Sequence, residues 1–263
     1  MLLLLTAAAA LTASGAGKLR ISDATGSGLE AFSRLVFIFA TENDVEIAYH
    51  RIDAATALEK LSLGETDLAI LKRSDIPKDL SWRTTVCAYR PLVAVVNVRN
   101  PLRGITGKHL KRLLTEPRPR WDFKGGSGAE VRRVALKGRD GKPAGFDPLN
   151  LFRTAPGILT LEREDQLWLF VGANVEALAV LPFAHGVPDG LAALKIDGAA
   201  PTLQNIRSGK YPLTEVYAAV TAPEPPETAR ELVRRFGGRE FSDLLEEEGA
   251  LAPLPSVPGE KQP

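Results

Sequence analysis

Five apolar residues, Leu29, Phe32, Leu35, Val36 and Phe39, recur at the three- and four-residue spacing of one buried helix face. Ahead of them Leu19–Ser22 reads as a strand, with Thr25-Gly26-Ser27-Gly28 as the turn between. The same order then repeats. Val45–Tyr49 alternates as a second strand, Leu58 and Leu61 mark a short helix stopped at Gly64, and Leu68–Leu71 is an apolar run of strand length. The run PLVAVVNV at 91–98 is long and β-branched; Thr106 follows as an N-cap for a helix carrying Leu110, Leu113 and Leu114. Further strands are predicted at Val131–Leu136, at Ala177–Leu181 (ended by Pro182) and at Val216–Thr221. Helices are predicted to start at Asp147-Pro148 and near Pro226, and a last one covers 239–248 before Gly249. Strands alternating with helices predict an α/β protein with a largely parallel sheet.

The first turn carries two readings. A small-residue turn entering a helix can hold an anion on the first backbone N–H groups. It can equally be an ordinary helix start, because Ser27-x-x-Glu30 has the spacing of a capping box, which satisfies those groups internally. Thr56-x-x-Glu59 repeats that spacing.

Composition narrows the class. Apolar content of 44% and charged content of 25% are those of a folded chain, and 263 residues suit two ordinary domains or one large one. The formal net charge of +1 gives no global argument for nucleic acid or membrane. The stretch MLLLLTAAAALTASGAG holds no charged side chain. Its apolar core has signal-peptide length, is too short to span a bilayer, and ends in the small-x-small site Ser14-Gly15-Ala16, although a basic first region is missing. Residues 1–16 are therefore read as a signal peptide, which predicts an exported, periplasmic location. Residues 256–263 belong to a Pro-rich tail expected to be disordered. Cys87 is the single cysteine, and between Val86 and Ala88 it reads as a small buried hydrophobe.

Charge is uneven along the chain. Residues 99–139 hold twelve Lys or Arg against three acids. That run is a solvated basic face or a field that draws in an anion. Nucleic acid is disfavoured, because Trp121 and Phe123 are the only Phe, Tyr or Trp residues among those charges, too few for a row of stacking platforms. Motifs of catalysis are missing: there is no G-x-S-x-G, no H-E-x-x-H and no Walker loop. His50, His109 and His185 stand far apart and in unlike contexts, and no spacing suggests a metal site. The expectation is a non-enzyme without cofactor.

Two segments carry a family resemblance. One is YRPLVAVVNVRNPLRGITGKHLKRLLT at 89–115; the other runs from Ile196 to Pro255 and contains DGAAPTLQNIRSGKYPL. A strand ending in V-V-N-x-x-N-P before a T-x-x-x-L helix, and the string D-G-x-x-P-T-x-x-N-I-x-S-G-x-Y-P-L, resemble phosphate-type solute-binding proteins of ABC importers. The resemblance implies the type II periplasmic-binding fold: two α/β lobes joined by a two-strand hinge, with the ligand in the cleft between them. The implied hinge strands are Pro91–Val98 and Val216–Thr221. One lobe would be 18–88 plus 213–255, and the other 99–192. The implied ligand is a small oxyanion such as phosphate, and the implied partner an ABC permease.

Carried over by position, the resemblance puts ligand contacts at four places. The first loop is Thr25-Gly26-Ser27-Gly28, with Ser27 as the hydroxyl ligand. The second, Gly-Ser-Gly-rich in the family, reads Ile52-Asp53-Ala54-Ala55-Thr56 here, leaving Thr56 as its donor. The third, where the family has Ala-Ser before an Arg or Asp, reads Leu71-Lys72-Arg73; a lysine cannot accept a ligand proton and favours a fully ionised anion. The fourth keeps the arginine as Arg139 but replaces Ser-Gly-Thr with GKPAGFDP, where Asp147 would oppose an anion. The scaffold matches better than the site. The leading reading is an exported oxyanion receptor, and the alternative is a sensor, adaptor or assembly module of the same fold that has lost phosphate binding.

Overall fold

The computed structural model describes residues 17–26, 29–79, 81–137, 157–182 and 186–253. The signal-peptide reading, the disordered-tail reading, Ser27, Gly28, Arg139 and the Asp147-Pro148 helix start all lie outside the described residues.

The first half of the molecule is built from β1 (Lys18–Asp23), α1 (Ala31–Asn43), β2 (Glu46–Arg51), α2 (Ala54–Ser62) and β3 (Leu68–Lys72). Strands β1, β2 and β3 pair in parallel with β1 in the middle. The chain then enters β4 (Arg83–Asn97), a strand of 15 residues. The second half holds β5 (Gly104–Ile105), α3 (Gly107–Thr115), β6 (Arg132–Leu136), β7 (Leu159–Leu161), α4 (Glu164–Ala173), β8 (Ala177–Pro182), β9 (Leu191–Ala193) and β10 (Lys195–Ile196). After α5 (Leu203–Arg207) the chain returns through β11 (Thr214–Thr221) and ends in α6 (Glu227–Arg235) and α7 (Arg239–Glu247).

Strand β4 joins the two halves. Its residues 83–91 pair with β11, and its residues 92–97 pair with β8 and β9. The crossing therefore falls at Pro91 and Leu92. Each half of the sheet is covered by helices on both faces, which is why runs such as Leu68–Leu71 and Leu92–Val96 are uniformly apolar rather than alternating. In the first half, α1 and α7 pack on one face around Phe32, Phe39, Tyr217, Phe236 and Phe241. The opposite face is covered by α2, whose Ala57 and Leu61 meet Ala69, Leu71 and Val220. In the second half, Leu110, Leu113 and Leu114 of α3 pack around Trp121 on one side, and Leu167 and Val171 of α4 meet Val93 and Val95 on the other. Cys87 is buried in the first core, where burial raises its thiol pKa to about 12.

The motifs that carry the resemblance are structural. Asn97 donates its amide to the carbonyls of Val171 (3.1 Å) and Gly172 (2.6 Å), and Asn100 donates to Val175 (3.0 Å), so V-V-N-x-x-N-P ties the end of β4 to the end of α4. Asp197 adopts a left-handed backbone, φ 49°, and its carboxylate accepts the Gly107 N–H at the start of α3. Thr202 caps α5 by accepting from the Asn205 N–H, and the Tyr211 hydroxyl donates to the Leu92 carbonyl at the crossing.

Candidate functional site

The C-terminal ends of β1, β2 and β3 share one edge of the sheet, as their parallel pairing requires. Antiparallel pairing brings the start of β11 to that edge, with Tyr217 opposite Lys72. It also brings Arg90 and Pro91 of β4 there, opposite Glu215 and Thr214, where β4 passes into the second half. The edge therefore faces the other half of the molecule. From the other side, β6 runs parallel to β8, and Pro182 at the end of β8 pairs with Leu92, so those strands also end at the crossing. A ligand in an open α/β sheet sits outside the carboxyl ends of the strands, and here two such edges meet.

Thr25 and Gly26 follow β1 at this edge. Gly26 has φ +73°, a conformation that suits glycine, and it starts the turn. The Thr25 N–H donates to Asp23 Oδ1 (2.8 Å), while its buried hydroxyl has no partner among the described residues. Asp23 also accepts from the Tyr49 hydroxyl (2.6 Å) and lies 3.7 Å from Arg51 Nε. Burial, reinforced by the Asp23 charge, pushes the Tyr49 phenol well above its ordinary pKa.

The two capping boxes take a different form. Helix α1 begins at Ala31 with Glu30 as its N-cap residue, so Glu30 is not the third helical position. Its carboxylate is drawn to Arg51 (2.6 Å). Its N–H donates to Glu248 Oε2 (2.7 Å), a carboxylate from the end of α7. In α2 the cap is Asp53, not Thr56. Asp53 accepts both the Thr56 N–H (2.9 Å) and the Thr56 hydroxyl (2.7 Å), which hold its carboxyl below the usual range. The Thr56 hydroxyl is thus committed to its own helix cap. A hydrogen-bonding side chain three residues earlier outcompeted the threonine for the cap position.

Lys72 ends β3 and is engaged as well. Its Nζ lies 2.7 Å from Glu215 Oε1. The other oxygen of Glu215 accepts from the Tyr217 hydroxyl (3.0 Å) and lies 3.8 Å from Arg90 Nη1. The Glu215 and Arg90 side chains are 4% and 6% exposed, and Lys72 is 34% exposed, so Lys72 is the member that solvent reaches. Arg73 is exposed in the turn after β3, with no side-chain partner among the described residues.

The structure thus gathers Lys72, Arg90, Glu215 and Tyr217 at the edge where Thr25 and Gly26 also lie. Of these, Arg90, Glu215, Tyr217 and the nearby Glu248 escaped the sequence reading. A signal existed: Arg90 and Glu215 are the charged residues of otherwise apolar segments, and such charges on buried strands require partners. Two open depressions of about 490 and 480 Å³ lie elsewhere, on α3 and the β5–β10 ribbon, and share His109. No group of His, Cys, Asp and Glu among the described residues could hold a metal ion.

Glu248 gives a pH prediction. Burial raises its pKa above the ordinary glutamate value, against the Glu30 N–H bond and the charge of Arg34, which lower it. A raised folded pKa stabilises the fold most below the unfolded value, and that contribution is lost as pH rises through the folded one. Relative to the native chain, Glu248→Gln is therefore expected to gain thermal stability between pH 4 and pH 7. Melting curves at the two pH values check this, and a relative loss for the variant on going to pH 7 would contradict it.

Known proteins resemble the chain along most of its length. The phosphate-binding protein PstS of Bacillus subtilis (strain 168) is 25% identical over 220 residues, which cover 80% of this chain and 73% of that one. An ABC-type phosphate transport receptor from Vibrio cholerae superposes with a TM-score of 0.67 at 19% identity, covering 91% of this chain and 100% of that one. PstS from Borrelia burgdorferi superposes with a TM-score of 0.71 at 17% identity, covering 90% and 98%. No family model matches the chain. The structural likeness establishes the fold, the two-lobed architecture of periplasmic binding proteins, with β4 crossing between the lobes.

Proposed function

We propose that this PstS-like chain is an exported solute-binding protein that captures a small oxyanion, phosphate or a relative, between its two lobes. The observation that carries this reading is the edge where the halves meet: Lys72 is partly exposed there, and the Thr25 hydroxyl is buried without a partner among the described residues. On this reading the lobe-1 contacts are Thr25, Gly26, Ser27, Gly28, Lys72 and Arg73, and the lobe-2 contact is Arg139, three residues beyond the end of β6 in the chain. Thr56 drops to an outer position, because its hydroxyl is spent on Asp53. The B. subtilis and V. cholerae relatives are described as phosphate-binding and phosphate-transport proteins, which supports a transport receptor rather than an enzyme, and an ABC permease as partner. No helix among the described residues is long and apolar enough to cross a membrane.

A second reading keeps the fold and drops the transport role. Its support is that Glu215 sits on Lys72 and Glu248 sits on the N–H of Glu30, so the chain's own carboxylates occupy two anion-receptive features. Isothermal titration with phosphate, sulfate and acetate separates the two. Saturable heat with phosphate or sulfate supports the receptor; no heat with any of the three leaves the non-transport module.

A further inference from the structure

Glu215 has an unusual position for a structural carboxylate. It lies on β11 at the edge that faces the second half, on the same sheet face as Tyr217, and its two oxygens engage Lys72, Tyr217 and Arg90. Lys72 and Arg90 are the two cations that Glu215 meets at that edge. A planar carboxylate with two anionic oxygens, set against an ammonium, a phenol and a guanidinium, makes the contacts an oxyanion would make there. The neighbouring helix repeats the arrangement: the Glu30 N–H, at the start of α1, is bonded to the carboxylate of Glu248.

We propose that Glu215 is a specificity-determining residue of the cleft, a resident carboxylate that an incoming oxyanion must displace from Lys72 and whose charge penalises ligands of higher negative charge. The proposal rests on the oxyanion-receptor reading above. Two like charges sharing one lysine in a site of reduced dielectric repel each other strongly, and the repulsion scales with ligand charge. Glu215 is anchored by Tyr217 from its own strand, so it can release Lys72 and keep one hydrogen bond. Lys72 is the partner that an incoming anion reaches, since its side chain is the exposed member of the pair.

The test is titration of the full chain with sulfate and acetate in three forms: native, Glu215→Gln, and the double variant Lys72→Gln with Glu215→Gln. Glu215→Gln keeps the shape and the bond from Tyr217 and removes the charge. It is expected to bind sulfate about tenfold more tightly than the native chain, with a smaller gain for acetate, because removal of a like charge favours the dianion more. The double variant is expected to lose the gain. A purely structural ion pair would lower the melting temperature of Glu215→Gln without reordering the two ligands. Equal sulfate affinity in native and Glu215→Gln chains, within about twofold, overturns the inference and leaves the receptor reading standing. Heat from neither anion in any form overturns the inference, and if phosphate gives none either, the receptor reading falls with it. If Glu215→Gln fails to fold, Glu215→Asp gives the same reading: drawing the carboxylate back from Lys72 by one methylene should tighten sulfate, and unchanged or weaker binding counts against the proposal.

Discussion

Replacing Arg133 with methionine is expected to cost the fold about 3 kcal/mol, the scale of several charge-assisted hydrogen bonds lost together less the desolvation of the guanidinium. Arg133 is 4% exposed, on β6, beneath the end of α3. Its Nη1 donates to the carbonyls of Leu114 (3.0 Å) and Glu116 (2.9 Å), and Nη2 reaches the Pro117 carbonyl at 3.4 Å. The last carbonyls of a helix have no partner within it, and Glu116 already lies beyond the last turn of α3. One guanidinium thus closes the C-terminus of the helix whose N-terminus is closed by Thr106 and Asp197. Burial lowers the pKa of Arg133 below the usual arginine value, which records the cost of holding a charge there. Methionine fills a similar volume without a donor and leaves those carbonyls unsatisfied. Lysine supplies a point charge rather than a fork and is expected to recover less than half of the loss. Urea denaturation checks both variants. A loss below about 1 kcal/mol for the methionine variant would mean that water replaces the guanidinium at those carbonyls.

The residues that made the fold legible are not those that make the site. Leu29 to Phe39 and Leu110 to Leu114 announced their helices, because one face of each is buried and leaves a clean period, and Leu68 to Leu71 announced a strand as an unbroken apolar run buried on both faces. Thr106 and Pro226 were readable as helix starts for the same local reason. Helix α4 was not, because Leu167, Trp168, Leu169, Phe170 and Val171 are consecutive and apolar, so no face stands out. The strands β5, β7, β9 and β10 have two or three residues each and exist only because a distant partner pairs with them. The most specific string of the chain, from Asp197 to Leu213, resembles a family, and its polar side chains cap α3 and α5 and anchor the crossing. The site failed to show for the opposite reason. Glu215 lies 143 residues from Lys72 and Glu248 lies 218 residues from Glu30, so their encounters are set by topology, and no local pattern encodes them.

Truncating Phe32 to alanine is expected to cost about 3–5 kcal/mol, as for other buried phenylalanines, and to loosen the cleft edge as well as the core. Its ring is fully buried, 5.0 Å from Phe241, 5.3 Å from Phe236 and 6.1 Å from Tyr217, measured between centroids. Those three rings come from α7, the end of α6 and β11, so Phe32 is where α1 locks against the returning end of the chain. Edge-to-face and tilted pairs of this kind contribute about 0.5–1.5 kcal/mol beyond the area they bury. Two polar contacts depend on the same packing: the Tyr217 hydroxyl on Glu215 and the Glu30 N–H on Glu248. A cavity at residue 32 frees both the Tyr217 ring and the first turn of α1. The variant is therefore expected to unfold at lower urea and, while still folded, to exchange the Glu30 amide proton faster than the native chain. Leucine at the same position refills part of the cavity and is expected to restore a good share of the stability. Unchanged exchange at Glu30 alongside a large loss of stability would mean that α1 is held at the edge by Glu248 and Arg51 alone. The aromatic cluster would then serve the core without positioning the site.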